Sequence, residues 1–76
     1  MGWLKKLGKR EMWKRRKLCF FYENGEINQE WFGVDLGTHY IICEVAGLQV
    51  CYEVPKLLVR SFMKEKGLGN AELSCA

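Results

Sequence analysis

The sequence predicts an α+β fold: a four-stranded antiparallel meander, a C-terminal helix packed on one face, and a short basic helix at the N-terminus. Three observations predict it. Residues 38–54 read T-H-Y-I-I-C-E-V-A-G-L-Q-V-C-Y-E-V, two apolar-rich runs about Ala46-Gly47. Asn24-Gly25 separates two further runs and is the strongest two-residue hairpin signal, because a tight hairpin turn needs positive φ at both positions. Pro55 then ends the strand-rich part and opens a stretch with helical spacing.

Taken in order, residues 1–17 form a basic arm. Trp3, Leu4 and Leu7 share one side of a helix, Gly8 weakens its middle, and Glu11 can pair with Lys14 or Arg15 one turn on. Residues 17–23, K-L-C-F-F-Y-E, read as a strand. After Asn24-Gly25 the chain returns over 27–34 as a second strand, with Glu23 facing Glu26 across the turn. Asp35-Leu36-Gly37 is a turn into the central hairpin.

In that hairpin, a loop at Ala46-Gly47 sets Cys43 opposite Val50, Ile41 opposite Tyr52 and Ile42 opposite Cys51. Side chains alternate along a strand, so Ile41, Cys43, Val50, Tyr52 and Val54 share one face, while Tyr40, Ile42 and Cys51 share the other. Residues 55–66 place Leu58, Val59, Phe62 and Met63 on one helical face, with Lys56, Arg60 and Lys64 outward and Gly67 as a stop. The organisation is therefore an arm (1–17), an α+β domain (18–67) and a flexible, frayed tail (68–76).

At 76 residues this is one domain with a small core. A hydrophobic content of 49% is too high for a disordered chain. No apolar run is long enough to span a bilayer, no apolar signal region follows the N-terminal cations, and residue 6 is Lys, which breaks the myristoylation pattern. A cytoplasmic protein is expected. The charge is asymmetric: residues 1–17 hold eight Lys/Arg against one acid, a net +7, and residues 18–76 hold four against eight, a net −4. Such a split suggests an anionic partner.

Catalytic chemistry finds little footing. His39 and Cys43 share a strand face roughly 13 Å apart, too far for a thiol and its base. The cysteines Cys19, Cys43, Cys51 and Cys75 show no zinc or disulfide-framework spacing. At the register above, Cys43 and Cys51 point to opposite faces, so free buried thiols in a reducing compartment are expected. No Gly-rich phosphate loop or desolvated carboxylate pair stands out. No cofactor, metal or catalytic residue is expected, and no motif marks a known family.

A small non-catalytic binding protein acting through protein–protein contact, with a protein partner or as a homo-oligomer, is the function expected. One helix leaves the second sheet face uncovered, with Tyr40, Ile42 and Cys51 as its contact residues. The arm supplies a second surface, Lys5, Lys6, Lys9, Arg10, Trp13, Lys14, Arg15, Arg16 and Lys17, for an acidic partner. The alternative use of those residues is nucleic-acid binding, in which about five phosphate contacts give a log K against log salt slope of roughly −4.5 on duplex DNA. A second alternative is attachment to a membrane surface through Trp3, Leu4 and Leu7 among their lysines.

Overall fold

The computed structural model describes residues 4–6, 16–46 and 50–76. Four strands, β2 (Lys17–Glu23), β3 (Glu26–Asp35), β4 (His39–Glu44) and β5 (Cys51–Pro55), form the antiparallel meander that the sequence predicts. The sheet exceeds the predicted four strands: the tail returns as a fifth, β6 (Glu72–Cys75), and pairs antiparallel with β2. At the opposite edge a three-residue segment, β1 (Leu4–Lys6), adds to β5, and the order across the sheet is β1-β5-β4-β3-β2-β6.

Local chemistry explains the elements that match. Asn24 and Gly25 have φ of 53° and 79°, the left-handed pair a two-residue hairpin requires, and Glu23 does face Glu26. Beyond that turn β3 makes a wide bulge: Tyr22 pairs with Ile27 while Phe20 pairs with Phe32, leaving residues 28–31 opposite Phe21 alone. Asn28 holds the excursion, its Oδ1 accepting the Glu30 N–H at 2.8 Å. Pro55 closes β5, a 3-10 turn follows over Lys56–Leu58, and α1 runs Val59–Glu65. Gly67 at φ 79° ends that segment as predicted.

Four expectations are corrected. The tail is not frayed over 72–75, since Cys19 pairs with Cys75 and Phe21 with Leu73. Leu4–Lys6 is strand, not helix, and the remainder of the expected N-terminal helix lies outside the described residues. The central hairpin is shifted by one residue: Tyr40 faces Val54, Ile42 faces Tyr52 and Cys43 faces Cys51. A two-residue Ala-Gly loop would force Ala46 to positive φ, which its Cβ disfavours, and the strands instead end at Glu44 and begin again at Cys51. The first arm, Y-I-I-C, carries apolar residues at both parities, so alternation alone does not exclude the slip. Finally, the cysteines are not free thiols. Cys43 bonds Cys51 and Cys19 bonds Cys75, with Cα–Cα separations of 4.2 and 4.0 Å.

The shift re-sorts the two faces. Trp31, Ile42, Tyr52 and Val54, with Phe21 of β2, lie under α1 and pack on Phe62, Met63, Leu68 and Ala71. Phe62 is the hub, with its ring 5.9 Å from Trp31 edge-on and 5.5 Å from Tyr52. On the other face Ile41, Cys43 and Cys51 make a second cluster with Phe32 and Leu36 against it.

Candidate functional site

The predicted contact residues do not form a surface. Ile42 is fully buried beneath α1, Cys51 is fully buried in a disulfide, and Tyr40 is half-buried on the helix side with Lys56 Nζ 5.3 Å above its ring. The reason is the one-residue shift, which turns Tyr40 and Ile42 toward the helix. Of the basic residues, Lys9, Arg10, Trp13, Lys14 and Arg15 lie outside the described residues. Lys5 and Lys6 stand on β1 at the register of Tyr52 and Cys51. Arg16 and Lys17 are exposed at the start of β2.

Arg16 and Lys17 share a shallow hollow of about 410 Å³ with Asp35, Gly37 and Lys56. Its one carboxylate is paired internally, and Arg16 and Lys17 leave it net positive. Lys56 Nζ pairs with Asp35 at 3.1 Å, and the Gly37 N–H donates to Asp35 Oδ1 at 2.7 Å. The Gly37 N–H first, and then Lys56, hold the Asp35 carboxyl below its ordinary value of 3.8. A carboxyl depressed in the fold stabilises it above the ordinary value, and that stabilisation disappears as pH falls through the lower folded value. Asp35→Asn is therefore expected to be less stable than the parent at neutral pH and to lose less stability as pH falls below about 4. Thermal melts across that range test it, and parallel curves for the two proteins would remove the role given to Asp35. His39 sits nearby, bonded to Thr38 Oγ1 at 2.9 Å and 3.4 Å from Glu53, while Cys43 is consumed in a disulfide. That pair therefore offers no nucleophile.

At the other end of the strands the sign reverses. Glu26, Glu30, Glu44 and Glu72 are exposed there, with Glu23 half-buried. Among the described residues no group of three or more His, Cys, Asp or Glu could hold a metal ion. A groove of about 580 Å³ runs along α1, bounded by Tyr40, Arg60, Met63, Asn70 and Leu73, and it is wide open to solvent.

The remaining surface of interest is the outer edge of β6. Ala76 N–H donates to the Leu18 carbonyl at 3.0 Å. In an antiparallel ladder inward and outward residues alternate, so Ser74 and Glu72 also bond β2, while the N–H and C=O groups of Leu73 and Cys75 point away from it. No described strand lies beyond β6. Next to this edge, on the face away from α1, β2 and β3 present Leu18 (42% exposed), Ile27 (43% exposed) and the half-buried Phe20 and Tyr22. Sequence reasoning overlooked Leu73 and Cys75 because residues 72–76 are few and follow Gly69-Asn70. The usable signal was the alternation in E-L-S-C, with apolar Leu73 and Cys75 two apart.

Compared with protein-family models, curated proteins and solved structures, the chain matches none of them. Among the described residues no helix is long and apolar enough to cross a membrane.

Proposed function

We propose that the protein is a small, disulfide-stapled, non-catalytic binding module that meets a protein partner at the β2–β6 side of its sheet. The observation that supports this reading is the open edge of β6 beside the apolar strip of Leu18, Phe20, Tyr22 and Ile27. Unpaired strand groups recruit another strand through main-chain hydrogen bonds, and neighbouring side chains supply selectivity. This replaces the contact surface first expected at Tyr40, Ile42 and Cys51. The two disulfides, which use all four cysteines, favour a place of action where thiols are oxidised over the cytoplasm.

Selection of random linear peptides against the immobilised protein tests the reading. Selected peptides are expected to slow amide exchange at Leu73 and Cys75. They should lose about tenfold or more in affinity when the Leu73 amide is N-methylated, which removes an outward donor and keeps the side chain. Binders that ignore both amides would overturn it. The nucleic-acid reading keeps one supporting observation, the exposure of Arg16 and Lys17 at the end of a strongly basic sequence. A gel shift that weakens with salt at a slope near −4.5 on duplex DNA would favour it. The membrane reading loses its helix over Leu4–Lys6, which is strand.

A further inference from the structure

We infer that the strand which fills the open edge of β6 is the β6 of a second copy, paired antiparallel about a two-fold axis through Ser74. This rests on the edge-binding reading above and names its partner.

The argument is one of register. Only residues whose N–H and C=O point outward can form hydrogen-bonded pairs with an incoming strand, and on β6 these are Leu73 and Cys75. Three symmetric registers bring them together. With the axis at Cys75, Cys75 meets its own copy and Leu73 meets no residue of β6, which spans Glu72–Cys75. With the axis at Leu73, Leu73 meets Leu73, and the flanking pairs would need Ala71, whose N–H is already given to the Leu68 carbonyl at 3.0 Å. With the axis at Ser74, Leu73 of each copy meets Cys75 of the other, and all four outward donors and all four outward acceptors are used.

Side chains agree with that register. Ser74 would face Ser74 in a non-hydrogen-bonded pair, where Cα atoms come within about 4.5 Å and small side chains fit best. Glu72, the only charged side chain on β6, would face Ala76 and not the Glu72 of the other copy. The strand also lacks the usual guards against such pairing. It carries no Lys, no Pro and no irregularity along its pairing with β2. A perpendicular two-fold keeps α1 of both copies on the same side, and the two meanders become one continuous sheet.

An interface of this size belongs to the weak class, so it is read at protein concentrations up to about 1 mM. Sedimentation equilibrium of the parent is expected to rise toward the dimer mass over that range. Ser74 is exposed, so its substitution leaves the monomer fold intact. Ser74→Lys and Ser74→Glu should each remain monomeric, because each sets like charges against one another on the axis, and an equimolar mixture of the two should associate again. Independently of any substitution, amide exchange at Leu73 and Cys75 should slow as concentration rises, while Ser74, already bonded to β2, should not change. A parent that stays monomeric at about 1 mM, single-charge variants that associate as the parent does, or a mixture that fails to associate would each overturn the inference. If selected peptides still protect Leu73 and Cys75 in a strictly monomeric protein, the second copy falls and the edge-binding reading survives. If neither peptide nor copy protects them, both fall.

Discussion

Replacing Cys19 and Cys75 together by alanine is expected to lower stability by about 4 kcal/mol. The bond joins residues 56 apart in sequence, so it removes far more freedom from the unfolded chain than the Cys43–Cys51 bond, which spans 8. It also fixes β2 to β6, which has only four residues and among the described strands pairs with β2 alone. A chain of this length has a total stability of about 4 to 11 kcal/mol, so the variant should retain between about 0 and 7 kcal/mol. Urea unfolding of parent and variant measures the difference, and amide exchange at Ser74 should rise in the variant. A loss under about 1 kcal/mol would show that the bond does not hold β6 in place.

Phe62→Ala is expected to cost about 3 to 5 kcal/mol. Phe62 is fully buried, and its ring is the meeting point of Trp31 and Tyr52. Phe62 and Met63 are the only buried residues of α1, which spans seven residues, and a helix that short has no independent stability in water. Lys66 Nζ lies 4.7 Å from the Tyr52 ring and 5.9 Å from that of Phe62, so the same substitution loosens the end of the helix segment. The melting temperature should fall by about 15 °C or more, with loss of the near-ultraviolet signal of Trp31. A fall of only a few degrees would mean that the cavity collapses and that the aromatic cluster is not what holds the helix down.

The sequence carried the local decisions and missed the distant ones. Asn24-Gly25, Pro55 and Gly67 act through their own backbone preferences, and all three stand where those preferences put them. The central hairpin failed on a quantity that local chemistry does not set. Y-I-I-C can bury either Tyr40 and Ile42 or Ile41 and Cys43 against Tyr52 and Val54, and the observed register accompanies the Cys43–Cys51 disulfide and the aromatic hub. β6 failed for a related reason. Four residues have no pattern strong enough to announce a strand, and its partner lies some fifty residues upstream. The candidate site inherits both failures, since Ile42 moves inward with the shift and the outer edge of the described sheet exists only because residues 72–75 are a strand.

The pairing of β6 with β2 has a consequence for the order in which the molecule assembles. The β2–β3 and β4–β5 hairpins join neighbours in sequence, and hairpins of that kind form in about 1–10 μs. The β6 contact closes a loop that encloses the whole meander and α1, and its entropic cost falls due before any of its bonds can form. Oxidation of Cys43 with Cys51 should accordingly precede that of Cys19 with Cys75, leaving a transient species in which β2 is itself the exposed border of the sheet.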